Sequence, residues 1–314
     1  MKRVFLTLVL ALVAIVNMKA QQIAVVKDGQ TTMCQTLGEA IKGAKDGSVI
    51  YLPAGGFQIN KDSIKTRVTI IGVGHKQDSN NADGNTVVYG EICFNEGSSG
   101  SAVMGCYISG DVKIGYDGKS VNNVLVKYCN AHGVMVGNSN CTGTIVNQNY
   151  LRTASSFSGA EVTFTNNIAY WIGSVNGGKI MYNVFGYNSL GNSLCSITGS
   201  TISNNICYNG TSKCSNNLYQ DNMGPTSFGN DFVKVSSWSG MFVNDAGITP
   251  SSDFHFTDAY SQYSYIGPYS TENGSTGFSD SAMPPVPYIS YKSIPEQTDA
   301  DGNLKIKIRV KASE

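Results

Sequence analysis

The middle of this sequence contains few side chains that could act as acids or bases. Its carboxylates are Asp111, Asp117, Glu161, Asp221 and Asp231. Hydrolysis of a glycosidic bond needs two carboxylates at a fixed separation, and elimination needs a cation that acidifies the proton next to a carboxylate. Because these carboxylates are far apart and no two fall at matching positions one repeat apart, the sequence disfavours a hydrolase or a lyase.

Two charged residues are candidates for contact with a sugar. Arg152 is the only arginine between Arg67 and Arg309, and we expect it to contact an acidic sugar or to lie along a neighbouring aromatic ring. Glu161 either faces Arg152 from an adjoining wall or is simply solvated. His132, at an Asn-Ala-His-Gly turn, could serve as a base, although a turn histidine without a function is the simpler interpretation.

Aromatic residues suggest binding without cleavage. A column of them on successive coils would offer flat faces to pyranose rings, although some of its members must instead belong to the core. The candidates are Tyr150, Trp171, Tyr187 and Tyr208.

A repeated phrase must position these side chains. Between residues 121 and 222, a few alternating apolar residues are followed by Asn and then by an aliphatic or aromatic residue, at intervals centred near about 20 residues. Such short alternating segments predict strands, and stacking one strand per coil would align the asparagines into a hydrogen-bonded ladder. The predicted ladder consists of Asn149, Asn167, Asn183, Asn205 and Asn217.

Two other architectures are disfavoured by the same pattern. Low complexity is disfavoured because the aliphatic residues keep phase with the asparagines, and because 17 Tyr and 12 Phe are too many for a solvated tail. A β-sandwich also contains many short strands, but its strands do not usually share a repeated Asn position.

Composition and the first residues indicate export. Residues 1–20 have the charged start, apolar run and small-residue end of a signal peptide, and the apolar run is short for a membrane span. Cleavage removes three of the 22 basic residues and none of the 22 acidic ones, which argues against nucleic acid as a partner. We therefore expect a secreted, periplasmic or cell-surface protein without a transmembrane segment.

The eight cysteines do not follow a disulfide pattern. Most lie inside the repeating strands, where Cys behaves as a small buried hydrophobe, so free thiols or one or two bridges are favoured over a full framework. No CxxC or zinc-type spacing is present, and the sequence indicates no metal site or other cofactor.

The start of the repeat resembles a known family. Thr36-Leu-Gly-Glu39 is a capping box that opens a short helix, and Asp46-Gly-Ser-Val-Ile-Tyr-Leu-Pro-Ala-Gly55 and Val68-Thr-Ile-Ile-Gly-Val-Gly74 follow it. This stretch resembles the start of the right-handed parallel β-helix of the pectin-lyase-like superfamily, and the resemblance covers residues 25–270. The resemblance implies an all-β solenoid whose N-terminal helix caps the first coil.

The same resemblance bears on chemistry. Members that cleave uronic-acid polymers are expected to use Asp-bound calcium with an Arg base, or two to three Asp on neighbouring coils. Calcium is thus implied by resemblance only. Function inferred from a fold remains an analogy.

The chain divides into residues 1–20 as signal peptide, 21–269 as capped β-helix, 270–282 as linker, and 283–314 as a Pro-rich segment with a basic strand. In that strand Ile306, Ile308 and Val310 alternate with Lys305, Lys307, Arg309 and Lys311. We expect either an ordinary edge strand guarded by its charges, or a strand that docks on a partner sheet or an anionic glycan.

Three hypotheses follow. The first is an exported β-helix that binds, and in some form processes, a polysaccharide. The second is a non-catalytic surface or adhesive module that captures a protein partner through residues 283–314. The third is an enzyme resembling pectate lyases or polygalacturonases.

Overall fold

The repeated phrases form the coils of a parallel β-solenoid of about seven turns, which confirms the predicted β-helix. The computed structural model describes residues 22–60, 63–76, 84–186, 197–207, 218–224, 232–244, 249, 251–270, 277–279, 284, 287–293, 297 and 301–312. The predicted signal peptide, Tyr187, Tyr208 and Asn217 lie outside these residues.

Each coil contributes strands to three walls. Wall A contains β3 (Ser48–Tyr51), β6 (Val68–Ile71), β9 (Ala102–Met104), β12 (Leu125–Lys127), β15 (Thr144–Asn147), the ends of β16 (Tyr150–Thr165) and β17 (Ile168–Met181), β19 (Ile197–Ser203) and β21 (Leu218–Gln220). Wall B contains β4 (Gly55–Gln58), β7 (Thr86–Tyr89), β10 (Tyr107–Ile108), β13 (Asn130–Ala131), the starts of β16 and β17, β18 (Val184–Phe185), β20 (Ile206–Cys207), β22 (Asn222–Gly224) and β23 (Phe232–Lys234). Wall C contains β5 (Ser63–Ile64), β8 (Ile92–Phe94), β11 (Val112–Ile114), β14 (Val134–Val136) and the middle parts of β16 and β17.

The interior is a set of apolar columns, because in-register parallel pairing places equivalent residues of successive coils above one another. One column runs the length of wall A, and all its members are fully buried. It consists of Ile50, Ile70, Val103, Val126, Val146, Phe164, Ile180 and Ile202.

The N-terminal end is capped as expected. Helix α1 (Leu37–Gly43) begins with the predicted capping box, in which Thr36 and Glu39 each accept a hydrogen bond from the other's backbone. Its Leu37, Ala40 and Ile41 are buried. Strand β1 (Ile23–Lys27) pairs antiparallel with both β2 (Gln30–Cys34) and β3, so the parallel sheet does not end in an open edge.

The asparagine ladder runs along the turn between walls A and B. The side-chain oxygen of Asn167 accepts from the backbone N–H of Asn149 at 2.9 Å and from its amide nitrogen at 3.1 Å. The same pair of contacts links each later member to the next, and the position after Asn205 is occupied by Asn222. These asparagines are fully buried, so the ladder satisfies polar groups that would otherwise be costly inside the protein.

Cysteines occupy the same turn in earlier coils. The backbone N–H of Cys129 donates to Asn149, and its thiol lies 3.3 Å from the carbonyl of Lys127. Burial raises the pKa of the Cys129 thiol to about 12, so it remains protonated. None of the six described cysteines forms a disulfide, and Cys195 and Cys214 lie outside the described part of the chain.

Wall B is also covered on its outside. Residues 235–278, which we call the C-terminal strap, include the antiparallel pair β24 (Phe242–Asn244) and β25 (Asp253–Phe256) and a 3-10 helix (Asp258–Tyr263). The strap forms a second apolar core with the outward-facing residues of wall B. Its main members are Tyr150, Ile168, Val184, Ile206, Met223, Met241, Phe242, Phe254, Ile266 and Phe278.

The turn residues before the ladder hold the strap in place. Asn166 and Asn204 have positive φ, a conformation that Asn tolerates better than most residues. The Asn166 amide donates to the carbonyls of Pro268 and Ser270 at 2.9 and 2.7 Å, and the Asn204 amide donates to that of Tyr265 at 3.2 Å. The packed structure thus extends past residue 269, to Phe278.

The basic tail forms a ribbon with the Pro-rich segment. Strand β27 (Lys307–Ala312) pairs antiparallel with β26 (Pro287–Ser293). Among the described residues these two strands pair only with each other.

We predict that Asn183→Ala lowers the free energy of unfolding by about 3 kcal/mol, because it strands several buried partners, including the Asn205 oxygen and the Asn167 amide. Urea unfolding measures this. The control Asn60→Ala, at an exposed position, should stay within about 0.5 kcal/mol of the wild type. Equal midpoints for wild type and Asn183→Ala would contradict the ladder's role.

We predict that burial of His75 makes the free energy of unfolding decrease at acid pH. This ring is 4% exposed, neither ring nitrogen has a hydrogen-bond partner among the described residues, and burial, helped by Lys76, lowers its pKa to about 3. The folded state therefore stays neutral while the unfolded chain takes up a proton below its ordinary pKa of 6.5. The contribution of His75 to the free energy of unfolding is fully present above its ordinary pKa of 6.5 and is lost as pH falls towards 3. The free energy of unfolding should fall by about 2 kcal/mol between about pH 7 and about pH 5.

Urea unfolding of wild type and His75→Gln across this range tests the effect, since other titrating groups cancel in the comparison. The stability difference between the two proteins should shift in favour of the variant as pH falls. A pH-independent difference would show that His75 does not titrate in this way.

Candidate functional site: a polar and aromatic strip at one corner

The corner between walls B and C carries chemically useful side chains on five successive coils. The hydrogen bond from the His132 N–H to the Gly110 carbonyl and that from the Thr153 N–H to the His132 carbonyl stack three of these coils. Ala154 then pairs with Trp171 on the next coil. We call this set the corner strip: Glu91, Asp111, His132, Thr153, Tyr170 and Trp171.

The centre of the strip is a histidine oriented by a carboxylate. His132 Nδ1 lies 2.8 Å from Asp111 Oδ1, and Thr153 Oγ1 lies 3.2 Å from the same nitrogen while donating to the His132 carbonyl at 2.9 Å. An ionised carboxylate only accepts, so in the neutral form of the ring Nδ1 carries the proton and Nε2 keeps the lone pair. The His132 side chain is 48% exposed and that of Asp111 only 15%. This arrangement can accept a proton from a bound molecule.

A second pair extends the strip onto wall C. Lys113 Nζ lies 2.7 Å from Glu91 Oε1 and 5.4 Å from the ring centroid of Tyr116. The hydrogen bond to Glu91 raises the pKa of Lys113. Glu91 also lies one coil before Asp111, because Ile92 pairs with Val112. Two carboxylates therefore do occupy matching positions on neighbouring coils, which the sequence analysis missed by leaving Glu91 out.

Arg152 lies beside the strip, but its guanidinium already makes hydrogen bonds that hold neighbouring coils together. Its guanidinium donates to the Tyr107 hydroxyl and the Ile108 carbonyl at 2.6 Å each, to the Ser109 carbonyl at 3.2 Å and to the Ala131 carbonyl at 3.3 Å. It also lies 4.7 Å from the centroid of the Tyr107 ring. Arg152 thus ties its own coil to the two preceding ones, and the expected contact with an acidic sugar would have to share these donors.

The other predicted site residues are dispersed. Glu161 is exposed and separated from Arg152 by the wall C part of β16. Tyr150 is only 4% exposed beneath the strap, and burial raises the pKa of its hydroxyl to about 12 against the effect of Arg152. Since Tyr150 pairs with Ile168 and Ala154 with Trp171, Tyr150 and Trp171 belong to different columns. Trp171 is half-buried and belongs to the strip, whereas Tyr187 and Tyr208 lie outside the described residues.

Sequence reasoning treated Asp111 and His132 separately. They are 21 residues apart, and Thr153 is a further 21 residues away. This spacing, one coil of the solenoid, was the available signal.

Within the described residues, no group of three or more His, Cys, Asp or Glu side chains could hold a metal ion. In the same part of the chain, no helix has the length and apolar character needed to cross a membrane.

We predict that Arg152→Lys lowers the free energy of unfolding by about 2 kcal/mol, because an ammonium cannot reproduce the planar fork that contacts two coils. The control is Arg67→Lys. Arg67 makes an ion pair of 2.8 Å with Asp46, but both side chains are at least half exposed, so the change should cost less than about 0.5 kcal/mol. Equal losses of unfolding free energy in the two variants, measured by urea unfolding, would argue against a role of Arg152 in linking its coil to the two preceding ones.

Comparisons of the chain with protein-family models, with curated proteins and with solved structures found no match.

Proposed function

We propose that this protein is an exported β-solenoid that binds a polysaccharide along the corner strip. The observation that carries this proposal is the run of Asp111, His132 and Thr153 on successive coils, continued by the half-buried Tyr170 and Trp171 on the next one. Hydroxyl groups of a sugar can exchange hydrogen bonds with the polar members, and its apolar faces can stack on the rings.

The solenoid geometry favours a linear ligand. Successive coils lie about 4.8 Å apart, so the strip offers its side chains at regular intervals along the axis. A polymer running along this axis would contact several coils at once. The strap closes the outside of wall B beside Tyr150 and Ile168 but leaves the strip at the edge of that wall partly exposed.

Two broader assignments belong to the same proposal. Residues 1–20 have the features of a signal peptide, which would place the strip where extracellular glycans occur. The parallel solenoid with its N-terminal helix is what membership of the pectin-lyase-like superfamily would require. Both support a glycan ligand by analogy.

Catalysis is a second candidate, favoured by the His132–Asp111 pair. An oriented imidazole with a free lone pair is the usual form of a general base. Glu91 pairs with Lys113, and Arg152 contacts three carbonyls, so the cations near the strip already have partners. For that reason binding is the main proposal.

The test is a screen of the mature chain, beginning at Gln21, against neutral and uronic-acid polysaccharides with and without calcium. For the glycan that binds, we expect Trp171→Ala to weaken affinity at least about tenfold, equivalent to about 1.4 kcal/mol. The control Tyr51→Ala removes a ring that is 41% exposed on wall A and should leave affinity unchanged.

Absence of binding to any polysaccharide, or equal losses in the two variants, would reject the strip as the binding site. Product formation is followed by unsaturated-product absorbance and reducing ends. Product that disappears in His132→Asn while binding persists would establish the catalytic candidate.

A further inference from the structure

The polar end of the corner strip offers hydrogen-bond acceptors to a ligand. Asp111 Oδ1 lies 2.8 Å from His132 Nδ1, so the neutral ring keeps its lone pair on Nε2. The Thr153 hydroxyl donates its proton to the His132 carbonyl at 2.9 Å. Glu91 lies one coil before Asp111, and its side chain is 36% exposed. A ligand at this end of the strip must therefore supply the hydrogen-bond donors.

The two cations beside the strip already have acceptors. Lys113 Nζ lies 2.7 Å from Glu91 Oε1, and the Lys113 side chain is only 25% exposed. The Arg152 guanidinium donates to the Tyr107 hydroxyl and to carbonyls of the two preceding coils. A carboxylate on a ligand would have to compete with these contacts for either cation.

Among the described residues of these five coils, no further lysine or arginine lies at this corner. The sequence between residues 77 and 178 contains four such residues, which are Lys113, Lys119, Lys127 and Arg152. Lys119 lies in the turn between walls C and A, and Lys127 ends strand β12 on wall A, with its Nζ 4.6 Å from the Tyr128 ring centroid. The charges that a ligand meets at the strip are therefore two carboxylates and two cations that already have partners.

We propose that the strip selects an uncharged polysaccharide over polymers of uronic acids, an inference that rests on the glycan binding proposed above. Sugar hydroxyls can donate to His132 Nε2 and to the remaining carboxylate oxygens of Asp111 and Glu91, while an uncharged pyranose face stacks on Trp171. A uronate carboxylate only accepts, so it leaves these acceptors unpaired and is repelled by both carboxylates. Such a penalty on the wrong ligand contributes to specificity in the same way as a contact with the right one. The preference is opposite to the one that the resemblance to uronan-cleaving proteins implies.

Binding of the mature chain, beginning at Gln21, to a panel of polysaccharides tests this preference. The panel contains uncharged hexose polymers with free primary hydroxyl groups and polymers of uronic acids, each with and without calcium. We expect the tightest binder to be uncharged. Oxidising its primary hydroxyl groups to carboxylates, which keeps the backbone and the linkages, should weaken its affinity at least about tenfold.

A charge variant tests whether the strip itself discriminates. Glu91→Gln keeps the shape and an acceptor oxygen but removes the carboxylate that pairs with Lys113. We expect the affinity ratio between unmodified and oxidised polymer to fall at least about threefold in this variant. The matched control is Glu161→Gln, which makes the same change in net charge at an exposed residue outside the strip and should keep the wild-type ratio. Thermal unfolding should be the same in all three proteins.

Three results would overturn the preference. The first is a uronic-acid polymer as the tightest binder, and the second is an oxidised polymer that binds like its parent. The third is an affinity ratio that changes no more in Glu91→Gln than in Glu161→Gln. If binding in these cases still depends on Trp171, the strip remains a glycan site and only the preference is rejected. Binding of no polysaccharide in the panel would instead reject the proposed function and the preference with it.

Discussion

The asparagine ladder is the interaction on which the rest of the structure depends. From Asn167 onward, each Asn oxygen accepts two N–H groups from the preceding ladder residue, and each Asn amide also donates to a carbonyl of an earlier coil, as Asn167 does to Val146 at 2.9 Å. The short Asn side chain can hydrogen-bond to backbone groups of its own coil and of the adjacent coil at the same time. It can therefore satisfy the polar groups of a tight buried turn without water.

Fixing this turn also fixes what lies on either side of it. Coils locked in register produce the apolar columns inside and place equivalent surface residues above one another outside. The pairing of Trp171 with Ala154, between the coils of Asn167 and Asn149, is a consequence of that register. The pair Asp111–His132 follows from the same in-register pairing of earlier coils, upstream of the ladder. The residue before each ladder position has a positive φ, and at Asn166 its side chain holds the strap. The ladder thus positions the later coils of the corner strip and the cover of wall B.

Much of the architecture could be predicted because repeated residues reveal repeated environments. Asn149, Asn167, Asn183 and Asn205 share one phrase and lie in one hydrogen-bonded row. The row's continuation at Asn222 and its start at Cys129 were missed, because the coil length varies and because a thiol can replace the amide at the end of the row.

The candidate site was less predictable, because it depends on register across coils. Tyr150 and Trp171 look equivalent in sequence, yet one faces the strap core and the other lies at the corner. Arg152 looked available for a ligand, but its contacts with Tyr107 and Ile108, more than 40 residues earlier, are visible only in the folded chain. No pattern in the sequence announces such contacts.

Amide hydrogen exchange of the mature protein, resolved by residue, tests the central role of the ladder most directly. If the ladder locks the coils, the backbone amides of Asn149, Asn167 and Asn183 should exchange only through global unfolding, with the slowest rates in the molecule. The stacked-coil account would be contradicted if these amides exchanged as fast as that of the exposed turn at Gly118.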